Sequence, residues 1–198
     1  MNHSTVNSSQ SPAEQVWLER EENASPAEQA DGTADCEANQ AVSELDRIAS
    51  FTVDHNKLVP GLYYSRRDED VVTFDLRFKK PNTGDLLSNA EMHSAEHLIA
   101  TLLRNSEDKE AVVYFGPMGC QTGFYFLFNN KLLSCEGAIE LLKETFKLAA
   151  GFEGEMPGNS AIECGNYVNL DVELGKAVCK FYSELIADWT VDKLSYES

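Results

Sequence analysis

The run Glu91-Met92-His93-Ser94-Ala95-Glu96-His97-Leu98-Ile99-Ala100-Thr101-Leu102-Leu103-Arg104 constrains this chain more than any other stretch. Apolar residues at 95, 98, 99, 102 and 103 recur at helical spacing, with no Gly or Pro among them, so the spacing predicts a helix from about Asn89 to Arg104. On a helix, His93 and His97 share one face, and both imidazoles can point at one ion. Glu96 stands beside them, where its carboxylate can move a proton on a group bound at that ion. The order is H-x-x-E-H, the reverse of the commoner H-E-x-x-H. A helix with two polar residues on one face by coincidence satisfies the same positions, so the motif needs support from the rest of the chain.

Length and composition bound what that support can be. At 198 residues the chain is long enough for one domain with a core, plus a tail. A hydrophobic content of 42% fits a soluble globular protein. The formal charge of −17 argues against nucleic acid as a partner, because phosphates would be repelled over most of the surface. A small anionic group held by a local arginine remains compatible with it. No apolar run reaches membrane-spanning length, and the first residues lack the basic-then-apolar order of a secretion signal. The 5 cysteines are an odd number without short pair spacing, which fits thiols or metal ligands in a reducing cytoplasm better than a disulfide framework.

Residues 1–42 are expected to form an acidic, disordered extension, and residues 43–198 the folded domain. The pentapeptide Ser-Pro-Ala-Glu-Gln occurs at 11–15 and again at 25–29, and each copy carries a helix-start signature. In the domain, Gly61–Ser65 reads as a strand and Arg66–Asp70 as a polar connection. Val71–Phe78 reads as a strand with Phe74, Leu76 and Phe78 on one face and Asp75 and Arg77 on the other. Ala111–Phe115 is expected as a buried strand, residues 116–123 as a glycine-rich loop carrying Cys120, and Phe124–Phe128 as the next strand. Helices are expected over about 135–150 and 171–189. Strands mixed with helices through hairpin-type links predict an α+β fold, an antiparallel sheet packed against helices.

Two histidines need a third protein ligand if the site is catalytic. Cys164 lies in a loop beside Gly165, which would let the backbone come close to an ion. Cys120 lies in a loop between strands. Spacing does not separate the two. Cys135 and Cys179 fall on helical patterns and read as core or surface thiols, and Cys36 lies in the extension.

His93-Ser94-Ala95-Glu96-His97, Gly116-Pro117-Met118-Gly119-Cys120-Gln121-Thr122-Gly123-Phe124 and Glu163-Cys164-Gly165-Asn166-Tyr167 resemble the three signature blocks of the S-ribosylhomocysteine lyases, the LuxS family. Ser50-Phe51 with Asp54-His55-Asn56, and Phe74-Asp75-Leu76-Arg77-Phe78, are similar to two further blocks in the same order. The resemblance covers about residue 48 to the C-terminus. It implies a homodimeric enzyme with its active sites at the subunit interface and a divalent metal in each, natively Fe(II), for which Zn(II) or Co(II) can substitute. It implies His93, His97 and Cys164 as metal ligands, Glu96 and Cys120 as the acid/base pair, and Ser50, His55, Arg77 and Arg104 at the substrate. The implied reaction splits S-ribosylhomocysteine into homocysteine and 4,5-dihydroxy-2,3-pentanedione, the autoinducer-2 precursor.

The chain departs from the family pattern in two places. Some members carry an aspartate where Tyr114 stands, which bears on recognition of the amino-acid end of the substrate. The acidic extension has no counterpart in the pattern. Two other readings compete: an inverted-motif zinc peptidase, and a metal-binding relative without activity. A mere binder needs neither Glu96 nor Cys120, which argues against the second.

Overall fold

Ser88 and Glu91 fix where the histidine helix begins. The Glu91 N–H donates to the Ser88 hydroxyl at 3.2 Å, and the Ser88 N–H donates to the Glu91 carboxylate at 2.7 Å, a reciprocal capping box. Helix α1 then runs Asn89–Arg104, as its spacing predicts. The computed structural model describes residues 51–196. The expected boundary at 42/43, both pentapeptides, Cys36 and Ser50 lie outside the described residues.

Four strands make one antiparallel sheet in the order β1-β2-β4-β3: β1 Gly61–Asp68, β2 Val71–Arg77, β3 Val112–Pro117 and β4 Gly123–Asn129. Helix α2 (Cys135–Ala150) and helix α3 (Val172–Leu185) complete the fold. Each of these helices starts on a side-chain cap, Ser134 accepting from the Gly137 N–H and Asp171 accepting from the Leu174 N–H. The α+β expectation therefore holds within the described residues.

Strand β1 is longer than the sequence suggests. Its charged end stays in register with β2, pairing Arg66 with Thr73, Arg67 with Val72 and Asp68 with Val71, after an irregularity between Tyr64 and Arg66. Charged residues suit this position because β1 is an edge strand. Only Glu69 and Asp70 are left for the turn, with Glu69 in the left-handed region at φ 53°. Strand β3 is the other edge, and the expectation of a buried strand holds for Ala111, Val112 and Phe115 but not between them. Val113 and Tyr114 are exposed, since only β4 pairs with this strand.

The core lies between the helices and one sheet face. Val72, Phe74 and Leu76 of β2 and Phe124, Phe126 and Phe128 of β4 point into it, all fully buried. Phe78 stacks on Tyr182 of α3 at 3.9 Å between ring centroids, and Phe146 of α2 packs against both. The Tyr182 hydroxyl, buried, donates to the Gly61 carbonyl at 2.9 Å.

The second sheet face, which carries Asp75 and Arg77, is also covered. Both are buried, at 3% and 2% exposure. Helix α3 ends at Leu185 rather than near Trp189. The chain then turns so that Trp189 meets Tyr63 edge-on at 6.0 Å and Tyr196 stacks on Tyr63 at 4.9 Å. Val53, His55 and Leu58 close the same face from the other end of the domain.

Helix α3 holds α1 in place through a close approach at Gly175. A Cβ there would lie 2.9 Å from Leu98 Cδ1 and 3.1 Å from the Ser94 backbone. The Asp171 N–H donates to the buried Ser94 hydroxyl at 2.9 Å, so both groups pin the first turn of α3 to the histidine helix. A Gly175→Val change is expected to force the helices apart and to cost about 1–3 kcal/mol. Chemical denaturation would show this as a lower midpoint with an unchanged slope.

Candidate active site

The two histidines of α1 converge as their spacing requires. Their rings stand perpendicular, with centroids 4.7 Å apart. Cys164, brought in by the loop after α2, places its Sγ 3.3 Å from His93 Nε2. One donor atom from each of His93, His97 and Cys164 lies within 4.8 Å of the other two. The choice that spacing left open is settled by geometry: it is Cys164, not Cys120, that joins the histidines.

The group fits a transition-metal ion. Donors at about 2.0–2.3 Å from a tetrahedral ion stand roughly 3.5 Å apart, close to the His93–Cys164 separation. His97 Nδ1 lies 2.7 Å from the Pro157 carbonyl, an arrangement in which Nδ1 carries the proton and Nε2 is left as the ligand. The Asn166 N–H points at Cys164 Sγ at 3.5 Å, as donors do around thiolates. Burial, with the His97 charge adding to it, pushes His93 below its ordinary range and so toward the neutral, ligating form. A Cβ at Gly165 would meet no other protein atom within 4 Å. Gly158 is the glycine that matters here. It has φ +69°, and a Cβ would sit 3.0 Å from the His97 ring.

Glu96 is half-buried on the same helix. Burial pushes its carboxyl above the usual carboxylate range, only partly opposed by His97.

Cys120 sits elsewhere, in the tight turn between β3 and β4. The turn is closed by the Gln121 N–H donating to the Met118 carbonyl at 3.0 Å, with Gln121 left-handed at φ 62°. The Leu87 N–H donates to the Gln121 carbonyl at 3.0 Å, which ties the turn to the segment entering α1. Gly123 is obligatory because a Cβ would overlap the Leu76 carbonyl of β2. Cys120 Sγ lies 3.0 Å from Thr122 Oγ1 and 3.8 Å from Arg77 Nη1. Burial would raise this thiol, but the Thr122 side chain and backbone and the Arg77 charge outweigh it, and the thiol falls below its ordinary range.

Arg77 donates to Asp75 Oδ2 at 2.5 Å and to Thr122 Oγ1. Although its own burial works against the charge, the Asp75 carboxylate holds the guanidinium more firmly protonated than usual. His55 bonds to the Val53 carbonyl through Nδ1 at 2.9 Å and faces the same pair. Arg104, by contrast, lies at the far end of α1 and donates to the Val113 carbonyl at 2.8 Å. Thus the histidines and Cys164 form one set, while Cys120, Arg77 and His55 form another. Among the described residues no hydrogen bond or ion pair joins the two sets within one chain. Sequence reasoning missed Thr122, the Pro157 carbonyl and Ser94. Only the alternation that put Asp75 and Arg77 on one strand face signalled their pairing.

An α+β fold that presents a His₂Cys group able to hold a metal ion, with a carboxylate on the same helix and an arginine-held thiol on another turn, has the parts a metal-dependent enzyme that moves protons would need. A profile of S-ribosylhomocysteinase (LuxS) matches residues 48–193. The chain belongs to this family. It is 44% identical over 158 residues to the S-ribosylhomocysteine lyase of Clostridium beijerinckii, covering 77% of this chain and 99% of that protein. The lyase of Finegoldia magna is 42% identical over 156 residues, with 77% and 99% covered. That of Phocaeicola vulgatus is 44% identical over 158 residues, with 77% and 98% covered. The inverted-motif peptidase reading is not favoured by these matches. No helix among the described residues is long and apolar enough to cross a membrane.

Proposed function

We propose that this chain cleaves S-ribosylhomocysteine to homocysteine and 4,5-dihydroxy-2,3-pentanedione, with His93, His97 and Cys164 holding a divalent metal and Glu96 and Cys120 moving protons. The observation that carries the reading is the meeting of those three donor atoms within 4.8 Å, in a chain of this family. The donor set suits Fe(II), and Zn(II) or Co(II) would occupy it as well. When bound, such an ion supplies Lewis acidity toward the oxygens of the open-chain sugar.

The chain's own residues do the rest. The carbonyl has to pass from C1 to C2 and then to C3, which means lifting a proton from one carbon and returning one to its neighbour, twice. A carboxylate on α1 and a thiolate on the β3–β4 turn supply two bases of different character for this traffic. With the carbonyl at C3, a base removes the C4 proton. The electron pair forms the C4–C5 double bond, the C5–S bond breaks, and homocysteine leaves as its thiolate, to be protonated. Arg77 and Thr122 shift Cys120 toward the thiolate form that this needs.

A homodimer completes the site in this reading. Its support is the separation of the two residue sets within one chain, together with apolar surface in the right places. Ile162 and Val168, either side of Cys164, are 94% and 77% exposed. A groove of about 270 Å³ opens on the second sheet face between Ser65, Arg66, Thr73, Tyr114, Tyr125 and Leu127. The buried Thr73 hydroxyl there lacks a partner among the described residues. His55, Arg77 and Arg104 serve the substrate in this assembly, with Ser50. In this reading the reaction takes place in the cytoplasm.

This reading assigns the activity to residues 43–198 and gives residues 1–42 no part in it. Removing residues 1–40 is expected to leave turnover and the dimeric state unchanged, the latter read as a mass of two truncated chains by light scattering, and loss of either would give the extension a structural role. The function itself is tested by thiol release from S-ribosylhomocysteine by anaerobically iron-loaded protein. Release that stops on chelation and returns with Fe(II) supports it. No release from protein with metal at His93, His97 and Cys164 refutes it.

A further inference from the structure

Arg77 is shared between two acids. Its Nη2 donates to Asp75 Oδ2, while its Nη1 serves Thr122 Oγ1 and reaches Cys120 Sγ at 3.8 Å. An arginine stays charged at any working pH. Left with the thiol alone, a guanidinium buried to 2% exposure would hold Cys120 as a firmly ionised, weakly basic thiolate. A thiol that must both take and return protons works best with its ionisation near the working pH. Asp75 is the group that opposes the guanidinium. It is buried, and its Oδ2 also accepts from the Tyr196 hydroxyl at 3.1 Å, while Oδ1 has no partner among the described residues.

We propose that Asp75 is a positioning residue that sets the pH at which Cys120 ionises, by competing with the thiolate for the Arg77 guanidinium. The Tyr196 hydroxyl, by donating to the same carboxylate oxygen, takes up part of its charge and tempers that competition. The inference rests on the reading of Cys120 as an acid/base of the lyase reaction. Other titratable or charged groups acting on this cluster are His55, Tyr125 of β4, Tyr182 of α3 and, more remotely, Arg66 of β1. None of these bonds to the guanidinium. Tyr196 lies beyond the family-matched residues, so this part of the device belongs to the C-terminal end of this chain.

The test is the pH profile of Cys120 alkylation by iodoacetamide in full-length, metal-loaded protein, followed by mass spectrometry on the peptide carrying Cys120. Asp75→Asn is expected to move the midpoint down by about one pH unit, since the guanidinium then has only the thiolate to balance it. Arg77→Gln should move it up. Tyr196→Phe keeps the ion pair but removes a donor from the carboxylate, so a smaller upward shift is expected, and this variant decides the matter if Asp75→Asn does not fold. An unmoved or raised midpoint in Asp75→Asn, or an unmoved or lowered one in Tyr196→Phe, overturns the proposal. Thiol release by the parent is measured alongside. An inactive parent with the expected shifts would sink the lyase reading and leave the role of Asp75 standing, and an active parent with no shifts would do the reverse.

Discussion

Cys120→Ala is expected to bind metal like the parent and to lose turnover by about a thousand-fold, within the range of a removed general acid or base. The two halves of the expectation come from different parts of the structure. Metal retention follows because Cys120 shares no bond with His93, His97 or Cys164, being held instead by Thr122 and Arg77. Lost turnover follows because, among the described residues, no other thiol is placed to stand in for it, Cys164 being taken up with the histidines. Cys179 is buried in α3, where burial pushes it up to about 12, and Cys135 is raised by burial and by Glu136. Stability should stay within about 0.5 kcal/mol, since Cys120 is exposed. Metal content per chain and thiol release, measured on one preparation, check both halves. A variant that turns over like the parent would remove Cys120 from the mechanism.

Cys164→Ala should fail at the earlier step. Groups that merely orient a ligand cost about 10–100-fold in metal affinity when removed, and loss of a donor atom should cost more than that. Alanine would leave His93 Nε2 and His97 Nε2 as the only donors of the group. The fold should survive, because Cys164 is anchored by its own N–H to the Ser160 carbonyl at 3.0 Å, a bond alanine keeps. The expected result is a folded protein that loses its metal on dialysis, and its turnover with it. Full metal content in the variant would show that the donor set has been misassigned.

Much of this site was legible before the fold was known, for local reasons. Helix α1 announces itself through its apolar spacing, and the same 3.6-residue period puts His93 and His97 on one face. What the sequence could not show depends on long-range closure. Cys164 reaches His93 across 71 residues, so neighbouring residues could not rank it above Cys120. The second face of β2 alternates as an exposed polar face would, yet Tyr196 comes back across 121 residues to cover Asp75. Strand β3 has the β-branched and aromatic composition of a buried strand but ends up at the sheet edge, because composition carries no information about order in the sheet. The family resemblance supplied roles for residues whose contacts were still unknown. Among those, Arg77 proved to be more tightly enclosed than a residue that simply meets substrate, and Asp75 and Thr122 emerged as its companions.

The central claim is that this chain breaks a carbon–sulfur bond by elimination, after moving a carbonyl along the sugar. The measurement that meets it most directly is the reaction of iron-loaded protein with S-ribosylhomocysteine in D2O, followed by NMR and thiol titration. Elimination turns the former C5 into the methyl carbon of the diketone and draws a proton from solvent to do so. The account predicts homocysteine and diketone in equal amounts, with solvent deuterium in that methyl group. Cleavage that leaves a hydroxyl on C5 and no deuterium there would contradict it.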